Sequence, residues 1–400
     1  MIPFDLSRFP PPPMTSRQEL MEKIAHMRGV LERGGHDAIL LSSEGAVRWL
    51  TGLRHQVTDI APDAQSPVQV LVRLRTSSAA MTLITARTEM QRIRDQVPRV
   101  FDGVLDAEWD SRESLPPLLP GTLLPGSPGY DEALGAIVRP IVGGTAGPQM
   151  RKLEWLHAMT TAVLTETAFQ LEPGMTGAKV RGLVFHSLAV QDVECNLILV
   201  ALAGQEKHLH PLFSSDYRVE EDCWVKLVAG GRYAELIASI TVMAKIGGRP
   251  SAEDTRIYGA LQEGSVEYAD LYRNGAVESE IYREVGVRFA EVERNRGLQG
   301  FQASAYHHHL GGPISPLGNR DYLIEQGGVR RMFPWMQFAI NPCEVLRNTK
   351  VELQGIVMPE GAPLVLDGSR FIPKRLGLFS ELRSRGGTVG AVSNVVEVPT

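Results

Sequence analysis

Apolar and polar residues recur along the chain with two periods, one typical of helices and one typical of strands. In the segment SRQELMEKIAHMRGVLERGG, residues Leu20, Ile24, Met27 and Leu31 fall on one helical face, and Ser16 precedes them as a candidate N-cap. Short strand-like runs follow, namely DAILLSS, VQVLVRLR and AAMTLITA, and then the helical run RTEMQRIRDQ. This alternation predicts a small three-layer α/β domain.

A change in composition marks the end of this domain. The stretch LPPLLPGTLLPGSPGYDEA, between Leu115 and Ala133, is dense in proline and glycine and cannot hold a regular element for long. One more short βα unit follows it. We therefore predict two domains, with residues 1–145 in the first and residues 146–400 in the second.

The second domain shows a repeated pattern of helix, helix and strands. Gly174 and Gly275 precede the second helix of each half, and apolar residues recur at the same distances behind both glycines. These apolar residues are Val180, Val184 and Leu188 in the first half, and Ile281, Val285 and Phe289 in the second. The shared spacing predicts an internal duplication of a helix, helix, strand unit, with a site between its halves.

Composition narrows the possible partners and compartments. The chain has 41 Lys and Arg against 46 Asp and Glu and no basic stripe, which argues against nucleic acid as a partner. No window is apolar for long enough to predict a signal peptide or a membrane span. Gly230 and Gly231 have the pattern of hairpin or bulge glycines, and no phosphate-loop motif is present. We expect a cytoplasmic protein without a membrane or nucleotide partner.

Six sequence features between residues 149 and 368 resemble, in order, the pita-bread domain of the creatinase, prolidase and aminopeptidase P family. They are the PGMT turn, HPLFSSDYR, VKLVAGGRYAELIASIT, HHHLGG, QFAINP and VELQGIV. The RWLTGL motif at Arg48–Leu53 resembles the N-terminal domain of the same family. The resemblance implies an N-terminal α/β domain, a C-terminal pita-bread domain with pseudo-twofold symmetry, and a homodimer.

The family's metal ligands are mostly missing from this sequence. The resemblance implies two metal ions held by two aspartates on a hairpin, a histidine, and two glutamates on the last strands. At these positions the chain has Val228, Ser239, His308, Asn341 and Glu352. Because only one of the five is a carboxylate, a dinuclear site would be poorly neutralised, and we predict no bound metal and no other cofactor.

Half of the ten histidines lie in the segments KHLHP and YHHHLGG. Histidine titrates near neutral pH and is suited to acid-base chemistry on an amide or amidine. His210 and His308 match family histidines, so we predict that they act with Glu352 as catalytic residues. His208, His307 and His309 are predicted to contact the substrate. The alternative for each histidine is a structural role in capping a loop or donating to a backbone carbonyl.

Two further polar residues are predicted to bind the substrate. Arg320 lies in a pattern of Gly, spacer, Arg and acid that resembles one in creatinase, and it could grip a carboxylate with two hydrogen bonds. Asn341 can donate and accept hydrogen bonds but cannot act as a base. The alternative interpretations are a surface salt bridge for Arg320 and a purely structural carboxylate for Glu352.

These observations predict a metal-independent hydrolase, or a related acid-base enzyme, that acts on a C–N bond of a small amide-, amidine- or peptide-like substrate. The resemblance implies that such chemistry is possible, because creatinase has this fold and acts without a metal. Three alternatives stay open. The chain could be an Xaa-Pro peptidase-like metallohydrolase, an enzyme with one zinc or other divalent ion on the histidines, or a catalytically inactive binding module.

Overall fold

A computed structural model describes most of the two predicted domains. It covers residues 10–53, 65–74, 81–86, 95, 103–107, 120–205, 217–248, 250–297, 303–310, 327–344, 349–366, 383–384, 387–388 and 395–398. The predicted helix RTEMQRIRDQ lies outside these residues except for Asp95. None of the described helices is long and apolar enough to cross a bilayer.

The described residues form seven helices, of which the first is capped at both ends. They are α1 (Arg17–Gly34), α2 (Glu44–Thr51), α3 (Tyr130–Val138), α4 (Pro148–Phe169), α5 (Gly177–Val190), α6 (Ala252–Ala269) and α7 (Glu278–Arg296). The Ser16 hydroxyl caps α1 by accepting a hydrogen bond from the Glu19 amide at 3.2 Å. Gly35 ends this helix with a φ of 70°. Both predicted ends of the first helix are therefore confirmed.

The described strands of the first part of the chain form one five-stranded sheet. They are β1 (Ala38–Ser43), β2 (Gln65–Arg73), β3 (Met81–Ala86), β4 (Gly103–Ala107) and β5 (Thr122–Leu123). The strand order is β4-β3-β2-β1-β5. Leu20, Met27 and Leu31 of α1 are fully buried in the apolar core of this sheet. The helix periodicity therefore identified the buried face correctly.

The described strands of the second part of the chain form two larger sheets and a short pair. Its strands are β6 (Glu194–Ala201), β7 (Cys223–Tyr233), β8 (Leu236–Ile246), β9 (Ala303–Leu310), β10 (Gln337–Glu344), β11 (Thr349–Lys350), β12 (Leu353–Ile356), β13 (Leu364–Val365), β14 (Arg383–Ser384), β15 (Gly387–Thr388) and β16 (Val395–Val398). One sheet has the order β16-β8-β7-β6, and the other has the order β11-β10-β12-β13 with β9 also paired to β10. Each sheet follows a pair of helices, as the repeated pattern predicted.

The apolar clusters divide close to the predicted domain boundary. The core of the first sheet contains residues from Leu20 to Val142, whereas the core around α4 contains residues from Ile141 onward. The division at residue 145 itself remains a prediction.

The internal duplication is visible in matching turns. Gly174 and Gly275 have positive φ angles of 89° and 83°, and each lies three residues before a second helix. Their carbonyls accept hydrogen bonds from Arg218 and Arg331, each at 3.0 Å. All six apolar residues predicted from the spacing are buried. The two halves therefore share turn geometry and helix burial despite little sequence identity.

The hairpin β7–β8 turns at two residues that are not glycine. The turn residues are Ala234 and Glu235, with φ angles of 49° and 62°. Gly230 and Gly231 lie within β7, opposite a register shift in β6. The two glycines therefore belong to a hairpin strand, as the sequence pattern predicted, and the bulge beside them lies in β6.

A buried ion-pair cluster holds this unusual turn against the first part of the chain. Arg48 of α2 contacts Glu194 at 2.5 Å and Glu235 at 3.0 Å, and Arg232 contacts the same two carboxylates at 2.5 and 3.6 Å. Burial would raise the pKa of Glu194, but Arg48 and Arg232 together lower it below its usual value. The RWLTGL motif therefore supplies a cation to the hairpin of the second sheet.

A second buried cluster lies beside the first one. Glu19 of α1 contacts Lys23 at 2.8 Å and Lys152 of α4 at 2.5 Å. Lys152 also donates to the carbonyl of Met14, and Lys23 donates to the carbonyl of Trp49. Burial and the charge of Lys23 lower the pKa of Lys152 from 10.5 to about 8, although Glu19 opposes this shift. The contact between α1 and α4 therefore includes a lysine that is costly to keep protonated.

The close approach of β7 to α4 gives a first prediction. A Cβ at Gly231 would lie 2.4 Å from Thr160 Oγ1 and 3.2 Å from Val193 Cγ1. We expect Gly231→Ala to lower the free energy of unfolding by about 1–3 kcal/mol, because the neighbouring side chains must shift. The matched variant Gly182→Ala, on an exposed helical site with no atom within 4 Å, should be stabilising by about 0.5–1 kcal/mol. Chemical denaturation measures both, and equal effects would contradict the close packing.

The lowered pKa of Lys152 gives a second prediction. Between pH 8 and 10.5 the unfolded chain binds more protons at this lysine than the folded chain does, so stability should rise with pH. Relative to Lys152→Met, the wild type should gain on the order of 3 kcal/mol across this window. Urea denaturation at several pH values measures this difference, with the exposed Lys179→Met as control. Parallel curves for wild type and Lys152→Met would disprove the assignment.

Candidate functional site

The hairpin β7–β8 presents one polar face and one apolar face. Val228 pairs with Thr241 and Gly230 pairs with Ser239, so these four residues share a face of the sheet. The alternate residues belong to the core around α4, namely Leu227, Ala229, Ala238 and Ile240. The face of Val228 and Ser239 therefore points away from that core.

The strands β10 and β12 present a matching face. Ile340 pairs with Leu353, and the Val351 amide donates to the Pro342 carbonyl at 2.9 Å, so Asn341 lies opposite Glu352. The alternate residues Phe338, Ile340, Val351 and Leu353 belong to a separate apolar core. Asn341 and Glu352 therefore share the other face, together with Gln337 and Gln354.

Side chains join these two faces directly. Thr241 Oγ1 donates to Glu352 Oε2 at 2.6 Å. Gln354 Oε1 accepts from the Ser239 amide at 3.1 Å, and Gln354 Nε2 donates to the Ile237 carbonyl at 2.8 Å. Gln354 Nε2 also lies 3.4 Å from Oε1 of a second buried glutamine, Gln337. We call the two joined faces the site face.

Four of the five sequence-predicted ligand positions converge on the site face. Val228, Ser239 and Asn341 are 1%, 8% and 3% exposed, and Glu352 is half-buried. His308 pairs with Ala339 in the register of β9 and β10, which places its backbone two residues from the pairing position of Asn341. The alignment made from the sequence therefore brought together residues from three distant segments.

For the other predicted site residues, the structure describes the backbone alone or nothing. His307 and His309 flank His308 in β9, where the backbone alone is described. His208, His210 and Arg320 lie outside the described residues. Their predicted roles therefore remain predictions.

The described residues of the site face do not fit a pair of metal ions. Hard divalent ions need several anionic oxygen ligands, and Val228 offers no ligand atom at all. Ser239 and Asn341 are neutral, and the carboxylate of Glu352 already accepts the hydroxyl of Thr241. Across the part of the chain that the structure describes, no group of three or more His, Cys, Asp or Glu side chains could hold a metal ion. Glu352 remains as the one described carboxylate at the ligand positions.

Sequence reasoning missed the roles of Thr241, Gln337 and Gln354, and it gave no role to Lys226. All four are at least 95% buried and lie at alternate positions of strands that are otherwise apolar. Polar residues that recur with period two in a buried strand were the available signal. The site face therefore contains more polar residues than the ligand alignment alone indicated.

Comparisons with known proteins agree with this architecture. A family model described as metallopeptidase family M24 matches residues 151–373. A search of the curated proteins found no match.

Several solved structures share the fold over most of the chain. The Xaa-Pro dipeptidase from Bacillus anthracis has a TM-score of 0.62 and 16% identity, covering 87% of this chain and 97% of that chain. The X-Pro aminopeptidase from Thermotoga maritima MSB8 has a TM-score of 0.62 and 17% identity, covering 84% and 96%. Zinc-substituted aminopeptidase P from E. coli has a TM-score of 0.57 and 14% identity, covering 88% and 95%. The predicted fold, an α/β domain followed by a pita-bread domain, is confirmed.

The contacts of Gln354 give a third prediction. Gln354→Met leaves the Ser239 amide and the Ile237 carbonyl without this partner, so we expect a loss of about 2–4 kcal/mol in the free energy of unfolding. Gln337→Met is the matched control, because Gln337 makes one long contact of 3.4 Å, and it should cost under about 1 kcal/mol. Denaturant titration measures both, and equal losses would show that Gln354 does not hold the two sheets together.

Proposed function

We propose that this chain, which belongs to metallopeptidase family M24, is a hydrolase that works without a metal ion. Its substrate would be a small amide-, amidine- or peptide-like molecule with a scissile C–N bond. The observation that carries the proposal is the environment of Glu352. One carboxylate, held by Thr241, lies among neutral residues at positions where the resemblance implies a set of ligands.

The position of Glu352 suits a general base. Thr241 Oγ1 donates to Oε2 and so helps to orient the carboxylate, which as a base would accept a proton from water. Because Glu352 is half-buried, water and a small substrate can approach it. A fixed but accessible carboxylate is what proton transfer in a cleft requires.

The reaction would proceed in two balanced steps. Glu352 takes a proton from water as the water oxygen bonds to the substrate carbon, and the π electrons of the C=O or C=N bond move to its heteroatom. The C–N bond then breaks as these electrons return, and the protonated Glu352 or a neighbouring histidine gives a proton to the leaving nitrogen. His210 and His308 remain the proposed histidines for this transfer.

Neutral residues would orient the substrate. Asn341 lies opposite Glu352 on the adjacent strand, so its amide could donate to the heteroatom of the bond under attack. His208, His307, His309 and Arg320 are proposed as further substrate contacts. We also propose a cytoplasmic homodimer, in keeping with the family resemblance.

The proposed base gives a fourth prediction. Glu352→Gln keeps an oxygen that can accept from Thr241 but cannot take a proton, so the turnover rate should fall about 100-fold or more while stability changes little. The exposed Glu360→Gln is the matched control and should behave as wild type. Turnover is measured on a panel of simple amides, N-acyl amino acids, amidines and dipeptides that includes Xaa-Pro dipeptides.

The same substrate panel tests whether turnover requires a metal ion. Activity should be unchanged after chelation and after addition of manganese, cobalt or zinc. About two bound ions per chain, with activity lost on chelation, would show a metallopeptidase instead. Hydrolysis of no member of the panel would favour an inactive binding module.

A further inference from the structure

The segment before α1 contains a run of four prolines, residues 10–13. A proline ring fixes φ near about −65°, and a residue that precedes a proline is restricted to extended ψ angles, so the run favours the polyproline II conformation. Because proline has no N–H group, the backbone of the run can accept hydrogen bonds but cannot donate them. Pro10, Pro11 and Pro13 are exposed, and Pro12 is half-buried. The run therefore lies on the protein surface as a stiff hydrogen-bond acceptor.

Two side chains from the second part of the chain hold this segment by its carbonyls. Tyr233 Oη, at the end of β7, donates to the Pro12 carbonyl. Lys152 Nζ, on α4, donates to the Met14 carbonyl, and the Met14 side chain packs against the apolar core around α4. The segment is therefore bound through two backbone acceptors and one apolar side chain.

The two donors lie beside an aromatic pair. The rings of Trp155 and Tyr233 have centroids 4.9 Å apart and are tilted by 58°. Lys152 lies three residues before Trp155 on α4, so the two share a helix face. Aromatic surfaces recognise proline-rich segments because such ligands are already ordered and lose little conformational entropy on binding. We call Tyr233, Trp155 and Lys152 the strap site, and residues 10–14 the strap.

The strap site is separate from the site face. Tyr233 belongs to the core around α4, whereas Val228 lies on the opposite face of β7. Tyr233 also directly precedes Ala234 and Glu235, the turn residues with positive φ angles. The strap is therefore bound beside the turn of the hairpin, on the side away from the proposed substrate.

We propose that the strap site binds proline-rich segments, and that a proline-rich peptide can replace the chain's own strap there. The ligand is a proline run followed by an apolar residue, which supplies both carbonyls and fills the place of Met14. Such a peptide would give Tyr233 and Lys152 the same acceptors, so exchange leaves neither donor without its partner. This binding does not depend on the proposed hydrolase function.

Fluorescence anisotropy with a labelled peptide PPPPMT tests this inference on the full chain. A full-length serine variant (Pro10→Ser, Pro11→Ser, Pro12→Ser and Pro13→Ser) should bind the peptide, because its own strap is no longer ordered in advance. The wild type should bind at least about tenfold more weakly, since its strap competes at an effective concentration on the order of 1 mM. Absence of binding to the serine variant would overturn the proposal, as would equal binding of the peptide AAAAMT.

A tyrosine substitution tests the donor. Adding Tyr233→Phe to the serine variant removes the hydroxyl that binds the peptide carbonyl, so the affinity should fall about 3–10-fold. Tyr130→Phe is the matched control, because Tyr130 Oη donates to the Leu40 carbonyl at 2.9 Å in the first sheet. It should leave the affinity unchanged, and equal losses in the two variants would contradict the assignment of Tyr233.

Hydrogen exchange gives a second measurement if circular dichroism and thermal melting show that the serine variant does not fold. Excess unlabelled PPPPMT, added to the wild type, should raise the exchange rates of the Met14 and Thr15 amides severalfold, because the displaced strap meets solvent. Unchanged rates would overturn the proposal. Sedimentation of the same samples identifies the occupant. An assembly state that the peptide leaves unchanged supports a strap from the same chain, whereas a dimer that the peptide dissociates would overturn that assignment in favour of a second copy's strap.

Discussion

The geometry of the site hairpin depends on the buried contacts of Glu235 with Arg48 and Arg232. Two consecutive turn residues without glycine adopt positive φ, a conformation that costs free energy and persists only when surrounding contacts enforce it. The cations meet this requirement by holding a carboxylate that is 1% exposed. The ion-pair cluster thereby fixes the turn that aligns β7 with β8, and with it the register of Val228 and Thr241.

Side-chain hydrogen bonds join the two sheets at the site face. Amide and hydroxyl contacts from Gln354 and Thr241 connect the two sheets where the family resemblance implies ions and their ligands. Such neutral contacts need no compensating charge, so the face tolerates Val228 and Asn341. The carboxylate that remains at the ligand positions, Glu352, then acts on a substrate instead of on a metal ion in our proposal.

Much of this arrangement was accessible from the sequence because it rests on local periodicity and spacing. The buried helix faces, the matching positions behind Gly174 and Gly275, and the family were predicted correctly. The turn at Ala234 and Glu235 was missed, since its stability comes from Arg48, far away in the chain. The pair of hydrogen bonds from Gln354 to β8, which we call the Gln354 clamp, was missed for the same reason. The strands β8 and β12 are separated by more than 100 residues.

The clamp by Gln354 also closes an edge of the hairpin. One edge of β8 pairs with β7. Along the other edge, Met243–Ile246 pair with β16, and the side-chain amide of Gln354 bonds to the backbone of Ile237 and Ser239. The backbone groups at those two residues are therefore already paired and cannot add an incoming peptide as an extra strand. Any ligand that lies beside these two residues would therefore be recognised by side chains and not by main-chain pairing with them.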